Sequence, residues 1–145
     1  MVVITSKVEY LLLILVDLAT NRASGYTLSR DVAERQGIPP KYMPQLMALL
    51  TKRGWAASAR GAGGGVRLIA DPRDITIKDV IETAGERFQI KPCVDERYPC
   101  PRRERCPLWP VWVNAQRQVD KVMESTTLAA LIESRGNSDS EGGSQ

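Results

Sequence analysis

The first part of the chain alternates between apolar segments with helical spacing and short breaks at glycine or proline. A stretch that is apolar on nearly every side predicts a first helix over residues 6–21, buried between other elements. A second helix is predicted over residues 28–36, with Thr27 as its N-cap and Gly37 as the residue that ends it. The pattern therefore indicates a helical N-terminal domain.

A third helix is predicted from the proline pair at positions 39 and 40 to Arg53. Its apolar side chains recur at i, i+3, i+4 and i+7, which is the spacing of a single helical face. They are Met43, Leu46, Met47 and Leu50. This face is expected to point into the core, and the opposite face is expected to lie at the surface.

Beyond the third helix the pattern changes to short runs typical of β-strands. Residues 55–60 and 66–70 are two such runs, and the sequence GAGGG at 61–65 joins them as a hairpin turn. Thr76 then begins a Thr-x-x-Asp capping pattern for a fourth helix over residues 77–85. Three helices followed by a two-stranded wing predict a winged helix-turn-helix, so the expected fold class is mainly α (α+β).

The C-terminal half is predicted to contain a loop and one long helix. Prolines at 92, 99, 101 and 107 disfavour regular structure across residues 91–109. A helix with a coiled-coil-like seam is predicted over residues 110–134. The seam residues are Trp112, Ala115, Val119, Val122, Thr126 and Ala129. Because such a helix has little to pack against in its own chain, the seam predicts a two-fold homodimer.

Basic residues are concentrated in the N-terminal half. Residues 21–74 carry nine lysines and arginines against four acidic residues, whereas the whole chain has a net charge of +3. This distribution favours double-stranded DNA as a partner. The chain has no histidine and no paired-carboxylate or nucleophile motif, so we do not expect an enzyme.

The apolar run at residues 10–16 is far too short to span a membrane, and acidic residues flank it. No convincing export signal precedes it. We therefore expect a cytoplasmic protein without a membrane partner, in a reducing compartment where clustered cysteines bind metal or sense redox state rather than form disulfides.

The third helix is the candidate recognition helix, and the glycine-rich hairpin is the candidate wing. Arg60 at the wing tip would suit a narrow minor groove, while the helix would meet base edges and phosphates. The candidate DNA contacts are Ser29, Lys41, Tyr42, Gln45, Lys52, Arg60, Gly61 and Gly63. The alternative is an ordinary three-helix unit with a solvated basic face and a flexible hairpin. A phosphate-binding loop is disfavoured because no GK[ST] ending follows the glycines.

All three cysteines, Cys93, Cys100 and Cys106, lie in the segment CVDERYPCPRRERC. They can hold one metal centre, but a fourth ligand must be an oxygen, a small molecule or a group from elsewhere in the fold. The spacing contains no C-x-x-C pair and the chain no histidine, which disfavours structural zinc. Iron–sulfur clusters accept three thiolates and a different fourth ligand more readily. We favour a two-iron or four-iron cluster, with zinc and a metal-free thiol switch as the alternatives.

We accordingly divide the chain into four segments. Residues 1–90 are the predicted DNA-binding domain, 91–109 the cluster-binding loop and 110–134 the dimerisation helix. Residues 135–145 contain no apolar side chain and are predicted to be a disordered tail.

The segments TSKVEYLLLILVDLA, ERQGIPPKYMPQLMALLTKRGW and ARGAGGGVRLIADPRDITIKDVIE, together with the triple-cysteine loop, resemble the bacterial regulators that include IscR and NsrR. The resemblance extends over residues 1–134. It implies a homodimeric winged-helix repressor with crossed C-terminal helices. It also implies cluster ligation by the three cysteines, insertion of Arg60 into the minor groove, and a signal of redox state, nitric oxide or iron–sulfur status.

Two positions depart from that family. IscR-like members have a histidine ligand three residues after the last cysteine, where this chain has Trp109. Members such as NsrR use a carboxylate near the start of the first helix of the partner subunit, and Glu9 stands at the matching position. Glu9 is therefore the expected fourth ligand; the simpler interpretation is an ordinary first-turn acid. Pro44 replaces a frequent base-reading residue, so a different operator preference is expected.

Two other functions remain open. One is a metal-free thiol- or effector-responsive regulator of the same fold. The other is a metal-binding interaction module that does not bind DNA.

Overall fold

The structure, a computed structural model, describes residues 4–141. These residues contain six α-helices and one antiparallel β-hairpin. The helices are α1 (Ser6–Thr20), α2 (Ser29–Gln36), α3 (Met43–Lys52), α4 (Ile77–Thr83), α5 (Trp109–Ser125) and α6 (Leu128–Glu141), and the strands are β1 (Ala56–Ala59) and β2 (Gly65–Leu68). The order of elements confirms the predicted winged helix-turn-helix. No helix within these residues is long and apolar enough to cross a bilayer.

Helix α1 is the centre of the hydrophobic core. Leu11, Ile14 and Leu15 have no exposed surface, and α1 contacts α2, α3, α4, α6 and β2. Thr5 caps the helix by accepting a hydrogen bond from the backbone N–H of Val8. The prediction of a buried first helix is confirmed, because an element surrounded by five others needs apolar side chains on most of its faces.

The start of α2 differs from the prediction. Leu28, which makes no side-chain capping bond, is the N-cap residue, and Thr27 instead forms an isolated β-bridge to Val66. The backbone N–H of Thr27 donates to Val66 O at 2.9 Å, and Val66 N–H donates to Thr27 O at 2.7 Å. Thr27 therefore forms two backbone hydrogen bonds with the wing in place of the single capping bond that was predicted. Gly37 ends α2 in the left-handed conformation, as predicted.

Helix α3 follows one turn of 3₁₀ helix at Pro40–Tyr42. The predicted core stripe is confirmed, because all four of its side chains, Met43, Leu46, Met47 and Leu50, are buried. The Thr76 capping box of α4 is also confirmed, with both reciprocal hydrogen bonds present.

The wing is fixed at its base and projects at its tip. Ala56 pairs with Leu68, and Ala59 pairs with Gly65 beside the turn. Gly65 has φ +142°, and a Cβ there would overlap the backbone carbonyl of Thr27. Only glycine allows this approach, so the wing lies directly against the segment that begins α2.

The single helix predicted over residues 110–134 is two helices in the structure. Helix α5 ends at Ser125, Thr126 is extended, and α6 starts at Leu128. Thr127 forms a β-bridge to Thr76, and Leu128 is buried with its N–H donating to Ile75 O at 2.8 Å. The chain breaks here because these contacts with Ile75 and Thr76 of the winged-helix region replace helical hydrogen bonds.

The predicted disordered tail is wrong over residues 135–141, because α6 continues to Glu141. Because this segment has no apolar side chains, no periodic pattern indicated a helix there. A polar segment can nevertheless continue a helix that begins before it. The remaining predicted tail residues, 142–145, and residues 1–3 lie outside the described residues.

Candidate functional site

The candidate recognition helix, α3 with the 3₁₀ turn before it, presents a polar face opposite its core stripe. Lys41, Tyr42, Gln45 and Lys52 are all exposed, as the sequence predicts. Ser29, at the first position of α2, is half-buried. The four exposed side chains therefore share the surface of the helix-turn-helix that is free to meet another molecule.

Tyr42 is held in place by aromatic packing that the sequence analysis missed. Its ring stacks on that of Tyr10 in α1, with centroids 6.0 Å apart, and Lys41 Nζ lies 5.1 Å from its centroid. The two tyrosines help to line a cavity of about 290 Å³ that also includes Gln45. The N-terminal turns of α1 thus touch the N-terminal end of the recognition helix directly.

Arg60, Gly61 and Gly63 are exposed at the wing tip, as predicted. Two further cationic side chains stack on aromatic rings near the wing. Arg67 lies 5.3 Å from the ring centroid of Tyr26, and Arg53 lies 5.0 Å from that of Trp55. Stacking limits the rotamers of an arginine and leaves its guanidinium available for phosphate.

A buried carboxylate joins α1 to α2. Asp17 is 3% exposed and accepts two hydrogen bonds from the Arg35 guanidinium. Nε donates to Oδ2 at 2.9 Å and Nη2 donates to Oδ1 at 2.8 Å. Burial alone would raise the pKa of Asp17, but hydrogen bonds from Arg35, Gln36 and Asn21 outweigh that effect and hold the pKa below its usual value. An acid that follows the apolar run directly, on a helix expected to be buried, was the sequence signal for this ion pair.

The three cysteines line one cavity. Cys93, Cys100 and Cys106 are half-buried free thiols around a space of about 310 Å³ at the start of α5. The remaining lining residues are mostly basic or aromatic: Lys91, Pro92, Tyr98, Arg102, Arg103, Leu108, Trp109 and Trp112. Positive charge and a partly apolar wall around three thiols suit an anionic, sulfur-rich group.

Two side chains hold the loop that carries these thiols. The guanidinium of Arg103 donates to three backbone carbonyl oxygens, those of Asp95, Glu96 and Tyr98. Trp109 Nε1–H donates to the carbonyl oxygen of Cys93 at 2.8 Å, and its ring lies 5.6 Å from the Arg103 guanidinium carbon. A loop without strands or long helices is thereby held by hydrogen bonds to its own backbone.

Among the described residues, no aspartate or glutamate lines the cysteine cavity. The Asp95 carboxylate binds Arg97 at 3.0 Å and Arg87 at 3.3 Å, and the hydrogen bonds from the Arg97 side chain and backbone lower the pKa of Asp95 to about 2. Glu9 is exposed on α1 and does not line the cavity of its own chain. Within residues 4–141, no three histidine, cysteine, aspartate or glutamate side chains are arranged to hold a single metal ion.

Gln116 connects the cysteine loop to α5 from behind. It is 8% exposed, its Nε2 donates to Phe88 O and Asp120 Oδ1, and its Oε1 accepts from Ile90 N–H. The segment leading into Cys93 is therefore fixed to the middle of α5. Sequence periodicity could not identify this glutamine, because it lies off the apolar seam.

Comparison with known proteins shows which family this chain matches. Residues 4–134 match the Rrf2 family, described as an iron-dependent transcriptional regulator. The transcriptional regulator IscR of Vibrio atlanticus is 33% identical over 129 residues, which cover 89% of this chain and 74% of that protein.

Two solved structures share the fold. That of T. potens IscR has a TM-score of 0.70 and 28% identity, and the match covers 92% of this chain and 88% of that one. That of CymR, the global cysteine regulator of B. subtilis, has a TM-score of 0.74 and 28% identity, covering 92% of this chain and 98% of that one.

Proposed function

Because this chain belongs to the Rrf2 family of transcriptional regulators, we propose that it is a repressor that binds a double-stranded DNA operator under the control of an iron–sulfur cluster. The observation that carries the proposal is the cavity shared by Cys93, Cys100 and Cys106. The relatives reported above are named as regulators rather than enzymes, and this chain is likewise a regulator.

The donor set fits a cluster better than a single ion. In an iron–sulfur cluster the thiolates are distributed over two or four irons, so the ligands surround a space instead of all meeting at one ion. Three thiols around a cavity of about 310 Å³, without a single-ion arrangement among the described residues, match that requirement. When bound, such a cluster would supply reactivity toward oxidants or nitric oxide.

Glu9 of the partner subunit is the fourth ligand that we propose. Glu9 is exposed, and no residue within 4–141 is recorded as donating a hydrogen bond to its carboxylate, which would leave that group available to a second copy. Leu108, Val111 and Val122 expose apolar surface along α5, which supports a homodimer through this helix. A carboxylate binds iron less firmly than a thiolate, which suits an exchangeable position.

Two contact routes would connect the cysteine loop and Glu9 with the DNA-reading surface. In one, Gln116 and the β-bridge between Thr127 and Thr76 join α5 to the DNA-binding domain. In the other, Tyr10 follows Glu9 and stacks on Tyr42 of the recognition helix. Movement of the loop or of the first turn of α1 would therefore shift residues that we propose to meet DNA.

The proposed DNA contacts divide by role. Lys41, Tyr42 and Gln45 would meet base edges, and Ser29, Lys52 and the wing-tip backbone at Gly61 and Gly63 would meet phosphates. Arg60 would enter the minor groove. Pro44 is exposed on the same face and has no donor, so its contribution would be apolar contact.

The first test is chemical. We expect chain purified without oxygen to be coloured and to contain iron and acid-labile sulfide. Glu9→Ala should keep the fold but lose its cluster faster, whereas Glu34→Ala, an exposed acid on α2, should match the parent. A colourless anaerobic protein without sulfide contradicts cluster binding; equal cluster lifetimes for both variants remove Glu9 from the mechanism.

The second test concerns DNA. Binding to a fragment of the chain's own promoter should weaken with salt, and Arg60→Ala should lower affinity roughly tenfold. Arg117→Ala, which removes an exposed arginine on α5, is the matched control. Affinity that ignores both salt and Arg60 contradicts the repressor and favours an interaction module.

A second candidate follows from the likeness to the cysteine regulator CymR. In that case the three half-buried thiols would respond to oxidants or to an effector without any metal. The iron and sulfide measurement separates the two candidates, since a metal-free regulator would bind operator equally well before and after treatment with an iron chelator.

A further inference from the structure

Arg103 contains an unsatisfied donor beside the three cysteines. Its two terminal nitrogens are used by the carbonyl oxygens of Asp95, Glu96 and Tyr98. Its Nε is buried and, among the described residues, is the one buried side-chain nitrogen or oxygen without a hydrogen-bond partner. Leaving a charged donor buried and unpaired costs free energy, so its persistence at this position calls for an acceptor.

The same side chain forms part of the cysteine cavity. Arg103 lines that cavity together with Cys93, Cys100 and Cys106, and its guanidinium lies over the Trp109 ring. The guanidinium is always charged and can only donate hydrogen bonds. An anionic acceptor inside the cavity would match this donor, and thiolate or sulfide sulfur is such an acceptor.

We propose that Arg103 is a binding residue for the iron–sulfur cluster, donating its Nε–H to a thiolate or sulfide sulfur while its terminal nitrogens hold the loop. This inference rests on the proposed function. A lysine could supply the positive charge, but its single ammonium group could not bind three carbonyl oxygens and a sulfur atom at once, as the planar guanidinium can.

The consequence is a controlled reduction potential. Hydrogen bonds to sulfur and nearby positive charge stabilise the more negative, reduced form of a cluster. Adding one electron to the oxidised cluster strengthens the attraction to Arg103, so removal of the Nε–H should make reduction less favourable and shift the midpoint potential downward.

The test compares three variants of the full-length chain with the parent, all purified without oxygen. Arg103→Lys removes the Nε donor and keeps a charge. Trp109→Phe loosens the loop at Cys93 but keeps Nε and an aromatic ring beneath it. Arg105→Lys changes an exposed arginine that does not line the cavity. Measurements are midpoint potential, the rate of cluster loss to a chelator, and deuterium exchange of residues 93–100 in the iron-free chain.

We expect Arg103→Lys to lower the midpoint potential and to lose its cluster about tenfold faster, the usual effect of removing an outer partner of metal ligands. Trp109→Phe should raise deuterium exchange while leaving the potential unchanged, and Arg105→Lys should match the parent. If Arg103→Lys holds no cluster, the proposal stands where Trp109→Phe raises deuterium exchange of the iron-free loop at least as much and still keeps its cluster.

Other results overturn the inference. Equal potentials in the parent and Arg103→Lys, or equal shifts in Arg103→Lys and Trp109→Phe, would mean that Arg103 only holds the loop. Loss of the cluster in both Arg103→Lys and Trp109→Phe would mean the same. A parent chain without iron and sulfide instead removes the proposed function and this inference with it.

Discussion

The DNA-binding domain and the cysteine segment are stabilised by different forces. The DNA-binding domain, α1 to α4 with the wing, contains every buried apolar residue of the described chain except Leu128. From residue 85 to residue 127 the single buried residue is Gln116. The first region therefore has its own core, whereas the second relies on hydrogen bonds to backbone carbonyls and on half-buried side chains, such as Phe88 and Met123, that pack against that core. A segment built in this way is suited to completion by a bound group and a second subunit.

The largest expected difference concerns leucines in the two regions. Leu15→Ala, at a position with no exposed surface, should lower the free energy of unfolding by about 3–4 kcal/mol, because it removes buried methyl groups and leaves a cavity. Leu108→Ala, at a side chain that is 53% exposed, should cost less than about 1 kcal/mol. Urea unfolding of the iron-free chain measures both.

Repeating the urea unfolding at several chain concentrations tests whether a second copy covers Leu108. A Leu108→Ala cost that increases with concentration would show that a second copy covers this side chain. A concentration-independent cost equal to that of Leu15→Ala would contradict the division into two regions.

The next effect concerns the buried ion pair of the DNA-binding domain. Arg35→Met should cost about 3 kcal/mol, because it leaves the Asp17 carboxylate buried without its main cation. Since the folded pKa of Asp17 is lowered, its contribution is present above the unfolded pKa and is lost as pH falls through the folded pKa. We expect the parent to lose stability on acidification and Asp17→Asn to lose less over the same range.

Urea midpoints between pH 7 and pH 3 measure this pH dependence. Arg73→Met is the control, because its partner Asp71 is a solvent-exposed surface group rather than a buried one. Identical acid dependence in Asp17→Asn and the parent would remove Asp17 from the account.

The smallest effect tests the connection between the two regions. Gln116→Leu should lower stability by about 1 kcal/mol, since it removes the hydrogen bonds to Phe88 and Ile90 but leaves the core intact. Deuterium exchange should increase in residues 88–94 and stay unchanged in α1. Gln118→Leu, at an exposed position of α5, should change neither. Increased exchange in α1 as well would show that the regions unfold together.

The sequence predicted the DNA-binding domain well because burial imposes periodicity. The stripe that begins at Met43, the capping box at Thr76 and the glycine turn of the wing each follow from local spacing, and all are found. Thr27 was assigned the wrong role because its partner, Val66, is distant in sequence. The break after Ser125 was missed for the same reason, since contacts with Ile75 and Thr76 cause it.

The position of the cysteine site could be predicted from the sequence, but the roles of the residues around it could not. Three cysteines in a proline-rich loop indicated a metal-binding segment, and they do line one cavity. Arg103 and Trp109 could not be chosen from the neighbouring basic and aromatic residues, because their roles depend on which backbone carbonyls the folded loop presents. The assignment of Glu9 stays a prediction that only a second subunit can test.

The break at Thr126 gives α5 the properties of a rod fixed at both ends. Trp109 joins one end to the carbonyl of Cys93, and Thr126 O accepts the N–H of Ile77 at the other. Seventeen helical residues span roughly 25 Å at about 1.5 Å per residue. A tilt of about 10° at one end would displace the other by roughly 4 Å, close to the rise of about 3.4 Å per base pair. Under the proposed function, a displacement of that size would shift the winged-helix region by about one base pair along a rigid duplex.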